Sequence, residues 1–207
     1  MRQKLLLLAF MASIPLLAQN SQKLAFNFGG GPTFSVSDTS DRLNTGYNFT
    51  FGGGYNFSKN LGVNIDYIFN GADLSTKVLN FTSAPGGYAH VWGFGFNPIY
   101  RIAPERRMGG YFTGGYGVYT RTVNLTRPGV VPGVICDPWT FFCYSAPVYA
   151  DIIYRSNSTT KGGWDIGGGF TYQLSGNMKF YAELRYYKVL TTTVRTELLP
   201  LTFGLRW

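Results

Sequence analysis

Most of this chain runs in a two-residue rhythm, and that rhythm restricts it to sheet. From Leu24 to Val36 the even positions are Leu24, Phe26, Phe28, Gly30, Pro32, Phe34 and Val36, and the odd ones are Ala25, Asn27, Gly29, Gly31, Thr33 and Ser35. Successive strand side chains point to opposite faces, so one face is apolar and the other small and polar. The pattern returns at Tyr47–Phe57, Leu61–Asn70, Trp92–Arg101, Trp164–Tyr172, Phe180–Tyr187 and Leu199–Trp207, with a Gly-rich, less regular copy near Tyr111–Arg121. Eight strands are predicted, each near the roughly 9–11 residues that a tilted membrane strand needs.

The connections alternate as well. Ser58–Asn60, Ile102–Gly109 and Gln173–Asn177 are short, whereas 37–45, 71–87, 122–160 and 190–196 are mostly longer. Short turns at one end and long loops at the other are the habit of bacterial outer-membrane barrels. Both termini are then expected at the periplasmic end.

Volume decides which face is inside. Inward rows of Phe, Tyr, Trp and Leu from eight strands would overfill a barrel whose interior only just accommodates side chains. Gly, Asn and Thr inside with rings outside fits, and the outside must then be lipid. A soluble lipocalin-like barrel reverses these faces, and a secreted β-sandwich meets the same packing objection. The fold class expected is all-β, an eight-stranded antiparallel up-and-down transmembrane barrel. Tyr47, Tyr55, Tyr88, Trp92, Tyr100, Trp164, Tyr172 and Trp207 fall near strand ends, where interfacial belts form. The runs Gly29–Gly31, Gly52–Gly54 and Gly167–Gly169 lie inside strands and indicate curvature and a closely packed lumen.

Arg2 and Lys4 precede the apolar run Leu5–Ile14, and Pro15-Leu16-Leu17-Ala18 follows. A basic start, a short apolar stretch and a small terminal residue make residues 1–18 a signal peptide, with 19–207 as the barrel domain. The apolar run is shorter than the about 20 residues a membrane helix needs. Its loss removes two positive charges and lowers the formal charge from +8 to +6. Basic residues are scattered, with only Arg106 and Arg107 adjacent, so no nucleic-acid stripe is present. Positive loops suit the anionic lipopolysaccharide surface instead. With 17% aromatic and 14% charged residues, the chain is not disordered.

The last residues set Leu199, Leu201, Phe203, Leu205 and Trp207 at every second position, ending on an aromatic ring. With the leader and the eight alternating strands, the chain resembles the small OmpA/OmpX-like outer-membrane β-barrel family. The resemblance implies that these five residues are an assembly signal for the barrel assembly machinery. It also implies a role in envelope integrity, in surface interaction or as a narrow pore. Some small barrels of this kind modify lipid, using a His near the outer rim. The sole His, His90, sits in that region, but Trp92 stands where that chemistry requires a nucleophilic Ser. No catalytic residue, metal site or cofactor is expected.

Two groups of residues remain as candidate sites. Cys136 and Cys143 flank Pro138-Trp139-Thr140-Phe141-Phe142 inside the third long connection. An exported chain keeps disulfides, so these two are expected to pair and display the rings for an extracellular ligand. Inward parity collects Asp66, Arg101, Arg121, Asp165, Lys179, Glu183, Arg185 and Arg206 as a polar network in the lumen. Buried charges must be paired, and Asp66, Glu183 and Arg185 are expected to meet across the lumen, with Tyr181 and Tyr187 narrowing it. A plugged structural barrel is therefore expected, with a narrow channel for ions or small solutes as the alternative.

Overall fold

A computed structural model describes residues 23–191 and 195–207; the expected signal peptide lies outside them. Strands β1 (Leu24–Ser35), β2 (Gly46–Asn56), β3 (Leu61–Asp73), β4 (Gly86–Ile102), β5 (Met108–Cys136), β6 (Cys143–Ser175), β7 (Met178–Val189) and β8 (Thr196–Arg206) form a closed antiparallel barrel in chain order. Among the described residues no helix is long and apolar enough to cross a membrane, so any crossing is by strands.

The faces fall as the alternation requires. Phe28, Phe51, Ile65, Phe94, Phe112 and Ile166 are at least half exposed, while Asn27, Asn64, Asp66, Asn97 and Asp165 are buried within. Outer rings from neighbouring strands stand side by side, Phe28–Phe49, Phe51–Tyr67 and Tyr67–Phe94 at 5.0, 5.1 and 5.2 Å. Soluble monomers rarely expose apolar patches beyond about 300–600 Å². A belt that passes from strand to strand in this way needs lipid against it.

Strand length departs from expectation. β4 has 17 residues, β5 29 and β6 33, and most of the expected loop 122–160 is paired strand. β5 leaves β4 at Thr126, and β6 meets β7 only from Gly163. Above those points, among the described residues, β5 and β6 pair only with each other, down to Cys136 opposite Cys143. Pro128, Pro132 and Pro147 suggest a loop, but on a ribbon with two free edges a missing N–H can face solvent at no cost to a ladder. Val130, Val131, Val134, Ile135, Val148 and Ile152 supply the β-propensity. At about 3.3 Å per residue, the ten residues from Arg127 to Cys136 reach roughly 30 Å beyond β4.

The shorter outer connections fold over the barrel mouth. Residues 74–85 contain α1 (Thr76–Thr82), where the hydroxyl of Ser75 accepts the Val78 N–H and Ser83 ends the helix in the left-handed region at φ 51°. Leu43 bridges to Leu74. Both join Ile68, Val91, Leu125 and Leu198 in an apolar cluster, with Val78 and Leu79 packed against it. This layer packs on inward-facing residues of β3, β4, β5 and β8.

Closure between β1 and β8 is incomplete. Asn27–Gly30 pair with Phe203–Arg206 and Thr33–Ser35 with Leu198–Pro200, leaving Gly31 and Pro32 without partners in that ladder. Asn48 of β2 spans the gap, its amide nitrogen donating to the Pro32 carbonyl at 3.0 Å and the Leu201 carbonyl at 3.3 Å. The Thr202 hydroxyl donates back to Asn48 Oδ1 at 2.8 Å.

Candidate functional site

Arg185 stands at the centre of the lumen with three carboxylates around its guanidinium. Its Nη1 lies 3.1 Å from Asp66 Oδ2 and 3.5 Å from Asp165 Oδ1, and its Nη2 lies 2.7 Å from Glu183 Oε1. The acids come from β3, β6 and β7, so the cluster ties distant strands across the bore. Arg206 of β8 is 4.0 Å from Glu183 and lies over the rings of Tyr111 and Tyr181, at 4.4 and 5.0 Å. The three acids and two guanidiniums leave a formal charge of −1.

Neutral donors complete the carboxylates. Tyr111 donates to Glu183 at 2.8 Å, Tyr119 to Asp165 at 3.1 Å, and Asn27 and Asn97 to Asp66 at 3.3 and 2.8 Å. Inward Gly residues make the room. A Cβ on Gly52 would lie 2.2 Å from Asp66 Oδ1, and one on Gly29 would lie 2.5 Å from the Tyr181 hydroxyl. Beside the cluster, a cavity of about 10 Å³ lined by Asn48, Asn70, Glu183 and Tyr187 has room for one water.

The structure thus brings together five of the eight charged residues that parity selects. The others sit towards the ends of the bore. Arg101 donates to Asn56 at 2.6 Å, Lys179 donates to the Pro104 carbonyl at 2.7 Å, and Arg121 donates to Thr196 at 2.9 Å. Tyr181 and Tyr187 are buried, as inward residues should be. Sequence reasoning missed Tyr111, Tyr119, Asn27 and Asn97 as carboxylate partners. The signal for the two tyrosines was present, since both share the parity of inward Arg121 on β5.

At the far end of the ribbon Cys136 and Cys143 form a disulfide. Between them, Asp137 Oδ1 accepts the Trp139 N–H at 2.8 Å and the Thr140 N–H at 3.4 Å. These bonds, the Trp139 one foremost, hold its carboxyl below the usual carboxylate range. Phe141 turns the chain at φ 56°. The bond closes a short loop far from the barrel. Cys136→Ser with Cys143→Ser should therefore leave barrel unfolding unchanged while raising proteolysis within 137–142 several-fold, which limited digestion followed by mass mapping reads.

His90 faces outward from β4, packed against Phe69 and Tyr88 at ring separations of 5.2 and 4.8 Å. Its buried Nδ1 has no hydrogen-bond partner among the described residues. Leu199, Leu201, Phe203, Leu205 and Trp207, the residues expected to form an assembly signal, are all on the outward side of β8 or at its end. Trp207 is held by two backbone bonds to Phe26, of 2.8 and 3.0 Å.

Eight antiparallel strands closed on themselves, with aromatic rings outside and ion pairs within, define a transmembrane β-barrel of the outer-membrane type. The chain belongs to the outer membrane protein beta-barrel domain family, whose model matches residues 5–206. Among solved structures it is similar to Neisserial surface protein A, with a TM-score of 0.59 and 14% identity over 88% of this chain and 95% of that one. It is also similar to a major outer membrane protein from Thermus thermophilus, with a TM-score of 0.51 and 11% identity over 89% and 98% of the two chains. Likeness at such identity is one of fold. No curated protein matches the chain in sequence.

Proposed function

We propose that the protein is a closed, non-enzymatic barrel of the outer membrane whose working surface is the β5–β6 ribbon. On this reading it is exported by residues 1–18, recognised by the barrel assembly machinery through its C-terminal strand, and seated among outer-membrane lipid and lipopolysaccharide. The observation that carries the closed reading is the Arg185 cluster. Asp66, Asp165 and Glu183 converge on one guanidinium in the middle of a narrow bore, and the apolar layer around Leu43 and Leu74 lies above it. An ion entering from outside meets first an apolar seal and then a set of charges that are already paired with one another. Desolvation opposes it at the first, and at the second each carboxylate is already held by a guanidinium.

The contact reading is supported by the ribbon, which lifts exposed Trp139, Phe141 and Phe142 far from the barrel. A narrow channel for ions or small solutes is the competing outcome. Planar-bilayer recording on the purified protein decides between them. The expected result is a silent wild type, with current appearing in Arg185→Ala. Stable wild-type conductance would refute the closed reading.

A further inference from the structure

The tip of the ribbon is organised to enter something, and its chemistry narrows what. Trp139, Phe141 and Phe142 are 92%, 87% and 67% exposed. Between Arg127 and Asp151 the sole charged residue is Asp137, and its carboxylate is already occupied by backbone N–H groups. No basic or acidic patch is available to recognise a charged partner. Just below the tip, the consecutive residues Val134 and Ile135 are 65% and 42% exposed. Consecutive strand residues face opposite ways, so the ribbon end is apolar on both faces. A docked protein covers one face and demands shape complementarity over about 800 Å² of each partner. Three rings of about 150–250 Å² each make roughly 450–750 Å² in all, and they stand on a point rather than a plane. A bilayer interface has the opposite requirements. It surrounds what enters it, needs no complementary shape, and favours amphipathic rings such as Trp at its boundary.

We propose that the disulfide-closed tip inserts its three rings into the interface of a second, apposed phospholipid bilayer. The inference rests on the reading of the ribbon as the contact surface and deepens it by naming the surface contacted. The reach of roughly 30 Å past β4 holds the tip clear of the protein's own membrane, and the closed loop keeps the rings together while they transfer. Because the tip is nearly uncharged, insertion should depend little on anionic lipid or on salt.

The test uses the full barrel in detergent-free nanodiscs, mixed with separate vesicles of pure phosphatidylcholine. The expected result is co-sedimentation with the vesicles that persists in 1 M NaCl and falls at least tenfold in Trp139→Ser/Phe141→Ser/Phe142→Ser. Heat-modifiable gel migration confirms that the triple variant still forms the barrel. Placing brominated lipid only in the vesicles should quench Trp139 fluorescence. The other three tryptophans, Trp92, Trp164 and Trp207, lie on the barrel and remain unquenched. Absence of vesicle capture, capture that survives the triple change, or capture restricted to anionic vesicles would each overturn the proposal. So would quenching only when the nanodisc lipid carries the bromine, which places the tip in its own bilayer. A second arm separates this failure from failure of the contact reading. If vesicles are not captured but cells displaying the triple variant lose attachment to whole target cells, the ribbon is a contact surface for a protein partner. If attachment too is unchanged, the contact reading falls with the lipid one.

Discussion

Arg185→Ala is expected to be the most damaging single change in the lumen, lowering unfolding free energy by about 3–5 kcal/mol. The side chain is 5% exposed and is the common partner of Asp66, Asp165 and Glu183, each within 3.5 Å of it. Its removal leaves three carboxylates facing one another, and Arg206, 4.0 Å from Glu183, is too distant from the others to replace it. The loss comes from stranded charge rather than lost volume, which a second variant tests. Arg185→Met combined with Asp66→Asn, Asp165→Asn and Glu183→Gln should recover most of the stability, because a neutral replacement of a buried ion cluster is often tolerated. Urea-unfolding midpoints of the barrel in lipid vesicles read both. A midpoint for Arg185→Ala equal to wild type would mean that water already solvates these carboxylates.

A charge on the outer wall should be nearly as costly. Phe94 is 54% exposed and its ring lies 5.2 Å from that of Tyr67 on the next strand, in the middle of the outer band. Phe94→Arg is expected to cost about 2–4 kcal/mol, the value for a guanidinium at the midplane of a lipid-facing barrel surface. Val130→Arg is the control. Val130 is equally exposed, at 53%, but lies on the ribbon, where a surface change is usually worth no more than about 0.5 kcal/mol. Equal small costs at both sites would mean that the ring-bearing face meets water.

The outer wall and the mid-lumen charges were legible in the sequence for one reason: both depend only on parity. Where Phe and Ile alternate with Asn, Gly and Asp, as through Leu61–Asn70, a single period assigns every side chain to a face. β5 obscured that signal because rings occur on both sides of it. Tyr111 and Tyr119 point in while Phe112 and Tyr116 point out, so the inward hydroxyls that serve Glu183 and Asp165 read as irregularity. The ribbon was missed for a different reason. Proline and glycine punctuate strands inside a sheet, but Pro128, Pro132 and Pro147 stand in a two-stranded segment whose outer edges pair with no other described strand. The apolar layer around Leu43 and Leu74 was hidden because it is tertiary. Leu43, Leu74 and Leu79 belong to connections with no period, and only their convergence over the bore makes them a layer.

The gap between β1 and β8 has a consequence for the order in which the molecule is made. Pairing within the β5–β6 hairpin joins residues close in the chain, and loop-closure entropy there is small. Contacts between Asn27 and Arg206 span nearly the whole chain, and such non-local pairings form late. The final joint is thus the ladder with the fewest paired residues, and Asn48, from a strand already laid down, reaches across to both Pro32 and Leu201 as a clasp. Asp66 and Arg185 face each other only once the ring is shut, so their burial and the fastening of the clasp become a single event. The barrel behaves as a buckle: long and self-sufficient at its centre, and fastened at its ends by a short ladder whose one gap an amide bridges.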